Sequence, residues 1–297
     1  MNCEEICHLA FDGFGYRCRI VTNTAPVTDP VVVLGGAFQD MYAYQRLEAP
    51  WTSSATVVSV DLPGSGGADV LPASYGFEFL IGALADMLDQ LGLGRVNLFG
   101  ASYAAPIAYG LAQEHPERVA RLALVGAAPV YPPHQRAALQ AMADALESGD
   151  ARAYARMSVE ALMSPRERDV HKRAVVARVL ARAMGSVRQA DIPRHLASTQ
   201  RVINWHGLRP GGVRDVPALV FTGEHDTLTC PDLGRDVAAT IAGSVFTLIR
   251  GADHLTHLER PLQMSQLLDN FFNDRPLGNL PGLTPLEQHT RSADPVL

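Results

Sequence analysis

The chain has 297 residues, 47% hydrophobic and 19% charged, with a formal net charge of −6. This is enough apolar material for a packed core and excludes a chain kept disordered for want of one. The acidic balance, with Lys172 as the sole lysine and no Lys/Arg block, excludes a nucleic-acid footprint.

The first residues, MNCEEICHLAFDG, carry neither a basic lead nor a long apolar stretch. They predict no secretory signal, and no run reaches the roughly 18 apolar residues of a membrane span. Ile6–Phe11 and Tyr16–Thr22 flank Asp12-Gly13-Phe14-Gly15 and predict an antiparallel hairpin at a sheet edge. Six short, continuously apolar runs follow: 31–34, 56–60, 96–99, 121–125, 217–222 and 245–249. Such runs suit strands buried on both faces. Helical spacing marks 77–93, closed by Gly92 and Gly94, then 104–115, closed by Pro116, and 262–272, opened by Pro261. Alternating strands and helices predict an α/β fold around a mostly parallel sheet.

The alternation breaks between Leu124 and Leu219, where residues 134–207 hold no strand pattern and read as about four helices. The division expected is a core of 1–130 and 211–274, a helical cap of 131–210, and a tail of 275–297, loosely ordered or draped on the surface. Cys3, Cys7, Cys18 and Cys230 fit neither a zinc site nor a disulfide framework, which predicts reduced thiols and a cytoplasmic protein.

Chemistry concentrates where strands end. In Gly100-Ala101-Ser102-Tyr103-Ala104 a predicted strand hands over to a predicted helix. A serine there is either a helix N-cap or a nucleophile held on a strained turn, and the turn demands small neighbours at 100 and 104. The last position of G-x-S-x-G is Ala104, one methyl larger than the pattern. A serine nucleophile needs a base, and the base needs an orienting acid. Two later strands run into Gly223-Glu224-His225-Asp226 and Arg250-Gly251-Ala252-Asp253-His254. Both loops fall on the carboxyl edge of a parallel sheet, where sites collect. Ser102, Asp226 and His254 then stand in the order serine, acid, base. His257 is a rival base and Asp253 a rival acid. The loop Gly126-Ala127-Ala128-Pro129 offers no carboxylate, which favours Asp226.

With these residues the chain resembles the α/β-hydrolase family over about residues 6–273. The resemblance is carried by the elbow, by Asp61-Leu62-Pro63-Gly64-Ser65-Gly66, by Gly223-Glu224-His225-Asp226, and by Gly251 through Pro261. It implies an eight-stranded sheet, a cap after the sixth strand, and the triad Ser102, Asp226, His254. It also assigns the oxyanion hole to the backbone N–H groups of Tyr103, which follows the nucleophile, and Ala37. The family pattern has a histidine where this chain has Gly35, a loss that bears on loop rigidity more than on the amide. Ser65 is a second departure, in a loop read as structural. Phe38, Gln39 and Tyr42, with Met41, are expected around the substrate, as is Trp205; the cap methionines 157, 163 and 184 read first as core, with lining of the acyl side as the alternative. The reaction expected is hydrolysis of a small to medium, largely apolar acyl ester, thioester or lactone through an acyl-enzyme. Acyl transfer or cyclisation, C–C bond hydrolysis and non-catalytic ligand binding are the alternatives. No cofactor, metal, nucleic-acid or membrane partner is expected, and the assembly expected is a monomer or homodimer.

Overall fold

A computed structural model of the protein describes residues 3–165 and 169–289. Two antiparallel strands, β1 (Cys3–Phe11) and β2 (Phe14–Thr22), open the chain and pair from Cys3 with Thr22 to Phe11 with Phe14. Asp12 and Gly13 make the reversal at φ +47° and +85°, the backbone signs that match the twist of the strands. β3 (Val31–Leu34), β4 (Val57–Asp61), β5 (Val96–Ala101), β6 (Val119–Val125), β7 (Ala218–Gly223) and β8 (Val245–Ile249) form the parallel body. The order across the sheet is β1-β2-β4-β3-β5-β6-β7-β8-β9.

The ninth strand, β9 (Glu287–Gln288), pairs antiparallel with β8, so the sheet exceeds the eight strands implied by family likeness. It comes from the segment read as a tail. Residues 275–289 are tied along the β8 edge: Arg250 N–H donates to Gly282, Thr284 and Leu248 exchange bonds, and Arg235 holds Glu287 through two nitrogens. Little periodicity marks a strand of two residues, and Pro276, Pro281 and Pro285 mask it further. Residues 290–297 of the expected tail lie outside the described residues.

The helices are α1 (Ala49–Ser54), α2 (Phe77–Gln90), α3 (Ala105–Glu114), α4 (Pro133–Glu147), α5 (Ala151–Leu162), α6 (Arg173–Gly185), α7 (Ile192–Asn204), α8 (Pro231–Ala239), α9 (Thr256–Glu259) and α10 (Pro261–Phe272). The strand residues alternate between two cores. Val32, Leu34, Leu98 and Leu122 pack under α2 and α3, while Val31, Val33, Phe99 and Ala123 pack under α1 and α10. The continuous apolar runs in the sequence are this two-sided burial. Helices α4–α7 lie between β6 and β7, and α7 reaches the carboxyl edge of the sheet through Arg201, whose guanidinium meets Tyr103. Among the described residues no helix is long and apolar enough to cross a membrane.

Candidate active site

β5 ends at Ala101, and Ser102 takes φ +48° before the chain enters α3. A serine avoids this left-handed backbone unless its surroundings over-determine it. The surroundings here are tight. A Cβ at Gly100 would lie 2.6 Å from the Cβ of Ala108 and 2.9 Å from the carbonyl oxygen of Ala104, so only glycine fits. Ala104 itself has φ −86°, an ordinary conformation for any L-residue. The missing last glycine of the pattern is therefore no obstacle to the turn.

The turn presents Ser102 to His254. Nε2 of His254 lies 2.9 Å from Ser102 Oγ, and Nδ1 lies 2.9 Å from Asp226 Oδ2. Asp226 is fixed on every side: Thr222 and Thr229 donate their hydroxyls to Oδ2, and the N–H groups of Leu228 and Thr229 donate to Oδ1. Burial pushes the Asp226 carboxyl up, but the charge and N–H of His254 and the threonine hydroxyls outweigh it and hold it below its ordinary range. Burial likewise pulls His254 down. The Asp226 carboxylate overcomes that and raises the imidazole above 6.5. An ionised Asp226 accepts from Nδ1–H, which leaves the lone pair of Nε2 for the Ser102 hydroxyl. Gly126 completes the pocket for the ring, since a Cβ there would lie 3.0 Å from His254 Cε1.

The rivals have other places. Asp253 accepts the N–H groups of His254 and Ser164, and burial raises its carboxyl to about 6. His257 is buried, and burial with the nearby charge of His254 lowers it to about 4, so it stays neutral. It meets Gln39 rather than Ser102: Gln39 Nε2 lies 3.1 Å from His257 Nε2, and Gln39 Oε1 accepts the N–H of Gly36 at 2.7 Å. A Cβ on Gly35 would lie 3.2 Å from the Cβ of Gln39. Gln39 thus leans over Gly35, where the family pattern has a histidine side chain, and ties the Gly35–Ala37 loop to the loop that carries His254. Gly36 sits against the elbow, since its Cβ would be 3.6 Å from that of Ser102. The N–H of Tyr103 lies in the short turn Ser102–Ala104 that follows β5, and Ala37 lies in the loop that follows β3.

A cavity of about 270 Å³ opens beside this loop, bordered by Ala37, Phe38, Gln39 and Tyr103. Phe38, at φ +65°, stacks on His195 of α7 with centroids 4.5 Å apart. Tyr103 is buried between Phe77 and Arg201, its hydroxyl 2.5 Å from the guanidinium. Of the expected substrate residues, Tyr42, Trp205 and Met41 are not in the lining. Tyr42 lies under Arg19, 5.7 Å from ring centroid to guanidinium, and is exposed. Trp205 packs edge-on to Phe77 and Tyr131 in the core. Met41, Met163 and Met184 are core residues too, and Met157 packs against the core. The rest of the lining is polar, with Arg17, Asp40, Ser65, Arg188, Asp191, Arg194 and Ser198. Ser65 therefore borders this cavity, whereas Ser102 and His254 lie outside its lining.

Sequence reasoning missed Tyr131, which follows the β6 loop; burial raises its phenol to about 12, and the nearby Ser102 hydroxyl opposes that rise. That loop was read only for carboxylates. It also missed Thr222 and Thr229, whose hydroxyls no motif marks. No cluster of three or more His, Cys, Asp or Glu that could hold a metal occurs among the described residues.

The family model of the alpha/beta hydrolase fold matches residues 29–261. Of curated proteins, the (E)-2-((N-methylformamido)methylene)succinate hydrolase of Acinetobacter baylyi is 22% identical over 84% of this chain and 92% of its own. Three other curated relatives match over a quarter to a half of their own length, and a putative 2-succinyl-6-hydroxy-2,4-cyclohexadiene-1-carboxylate synthase of Bacillus subtilis is 23% identical over 86% of this chain and 95% of its own. Of solved structures, an alpha/beta hydrolase enzyme from a Medee basin deep-sea metagenome library superposes with TM-score 0.82 at 18% identity, covering 91% of this chain and 98% of that one. The enol-lactonase of Burkholderia xenovorans superposes with TM-score 0.75 at 22% identity, covering 89% and 99%.

Proposed function

The chain belongs to the α/β hydrolase fold family, and we propose that it is a serine hydrolase that cleaves an ester, thioester or lactone through an acyl-enzyme. The observation that carries this reading is the unbroken hydrogen-bond chain from Ser102 through His254 to Asp226, with the serine on a positive-φ turn.

In this reading His254 Nε2 takes the Ser102 proton as Oγ adds to the substrate carbonyl carbon. Negative charge builds on the carbonyl oxygen, and the N–H groups of Tyr103 and Ala37 receive it. The imidazolium, held by Asp226, then gives its proton to the departing alkoxide or thiolate as the acyl–oxygen or acyl–sulfur bond breaks. A water repeats the sequence: His254 takes its proton, the hydroxide oxygen adds to the acyl carbon, and Oγ leaves with the proton returned from Nε2. The products are a carboxylic acid, the alcohol or thiol, and the original enzyme. In a lactone, acid and alcohol stay in one molecule.

The relatives are consistent with this class, two of them being named as a hydrolase and an enol-lactonase. The test is steady-state hydrolysis of short-chain nitrophenyl esters, thioesters and lactones by the wild type, Ser102→Ala and His254→Ala. Turnover by the wild type, with a loss of about 10³-fold or more in each variant, supports the reading. Full activity in Ser102→Ala contradicts it.

A further inference from the structure

We propose that the cavity beside the elbow is a carboxylate subsite, so that the substrate carries a free acid on the part remote from the scissile bond. This rests on the hydrolase reading and names its substrate class.

The cavity is walled by the Gly64–Gly67 loop, the Ala37–Asp40 loop, Arg17 of β2, and the start of α7 with the turn before it. Its lining holds three arginines, Arg17, Arg188 and Arg194, against Asp40 and Asp191, with Asp61 behind Arg17. Formal charge is thus nearly balanced, and the deciding question is which groups are already used. The carboxylates are. Asp61 is buried and accepts from Met41 N–H, Gly67 N–H and Arg17 Nε. Asp191 accepts from Arg188 Nε at 2.6 Å and faces Arg194 at 3.4 Å. Asp40 is the exception: one oxygen accepts the Tyr42 N–H, no cation among the described residues pairs with it, and its exposure leaves its charge to be screened by solvent. Arg194 is used as well, on the carbonyls of Gly66 and Ala68.

Arg17 and Arg188 differ. Each is anchored through Nε alone, and among the described residues the terminal nitrogens of both have no protein partner. Nε anchoring fixes the plane of a guanidinium and leaves its terminal N–H groups for a ligand, a geometry that matches the two oxygens of a carboxylate. The Arg17 position is built in: a Cβ on Gly67 would lie 2.2 Å from its Cζ, so glycine lets the guanidinium lie against the loop. Three guanidiniums facing three carboxylates accommodate one added negative charge better than two. That favours a carboxylate over a phosphate dianion. The cavity lining does not include Ser102 or His254, but it meets Tyr103, the residue after Ser102, and Ala37, the residue after Gly36, whose Cβ would lie 3.6 Å from that of Ser102; a substrate held here extends from the elbow into the cavity.

The test is calorimetric binding to the Ser102→Ala protein, which consumes no ligand, with monomethyl glutarate and dimethyl glutarate as probes. The monoester is expected to bind about tenfold more tightly, with the preference shrinking as salt is raised from 0.02 to 0.5 M. Arg188 has a side chain 80% exposed, so Arg188→Met folds, and it brings the two affinities together. Equal binding of the two probes, binding of neither, or a preference that survives both Arg188→Met and high salt overturns the subsite. Because binding is read without Ser102, a lost preference with a reactive Ser102 overturns the subsite alone. A preserved preference with an unreactive Ser102 overturns hydrolysis alone.

Discussion

Gln39 and His257, 218 residues apart in sequence, meet with their side-chain nitrogens 3.1 Å apart. The amide of Gln39 is oriented by Gly36, whose N–H can only donate, so Oε1 faces Gly36 and Nε2 donates to His257. The neutral His257 then carries its own proton on Nδ1. This contact links the loop that bears Ala37 to the loop that bears His254. Gln39→Ala should lower kcat by about 10- to 100-fold while KM moves by less than about threefold, because the contact positions a group that acts in the transition state. Steady-state kinetics on one ester, with the melting temperature recorded alongside, checks it. A rise in KM with kcat intact would instead make Gln39 a substrate-binding residue.

In the proposed mechanism His254 must be neutral to accept the Ser102 proton, and Asp226 raises it above 6.5. Wild-type kcat/KM should therefore rise with pH through an apparent pKa above 6.5 and then level. Asp226→Asn removes the carboxylate and presents an amide N–H to Nδ1. It should move that limb to lower pH and reduce kcat on the order of 10³- to 10⁴-fold. A pH–rate profile of both proteins tests the direction and the size.

Gly100 and Ala104 should respond in opposite ways to a one-methyl change. Gly100→Ala forces a Cβ to within 2.6 Å of Ala108 and is expected to cost about 1–3 kcal/mol. Ala104→Gly restores the common motif, yet should cost up to about 1 kcal/mol through backbone freedom at a helix start. Denaturant unfolding of the two variants, compared at equal slope, distinguishes them.

Glu259 is buried, and burial lifts its carboxyl from 4.5 to about 7, against the donated N–H of Asp253. A folded-state pKa above the unfolded one means that its contribution is fully present below about pH 4.5 and is lost as pH rises through about 7. Glu259→Gln keeps an acceptor for Asp253 and removes the buried charge. The variant should gain stability relative to the wild type between pH 5 and 8, by no more than ~3 kcal/mol. Thermal melts across that range check it, and an advantage that is flat with pH would contradict it.

Much of this arrangement was legible in the sequence because it depends on local rules. Two-sided burial writes itself as unbroken runs such as Val31–Leu34, and a crowded elbow writes itself as Gly100 beside Ser102. The order Ser102, Asp226, His254 follows from strands ending on one edge. What escaped depends on three-dimensional neighbours. Nothing local says that Gln39 turns back over Gly35, that Tyr131 lies near Ser102, or that α7 sends Arg194 and His195 to the Gly64–Gly67 loop. Tyr42 and Trp205 were placed by loop and helix position alone, and their side chains turn to Arg19 and to Phe77. Helices α1 and α8 were not singled out, being short and opened by prolines.

The central claim is that Ser102 is an activated nucleophile. The most direct measurement is intact mass after exposure to a fluorophosphonate, followed by peptide mapping, for the wild type, Ser102→Ala and His254→Ala. A single adduct on the wild type, mapped to Ser102 and absent from both variants, is the predicted result. No adduct on the wild type, or one that persists in Ser102→Ala, would contradict it.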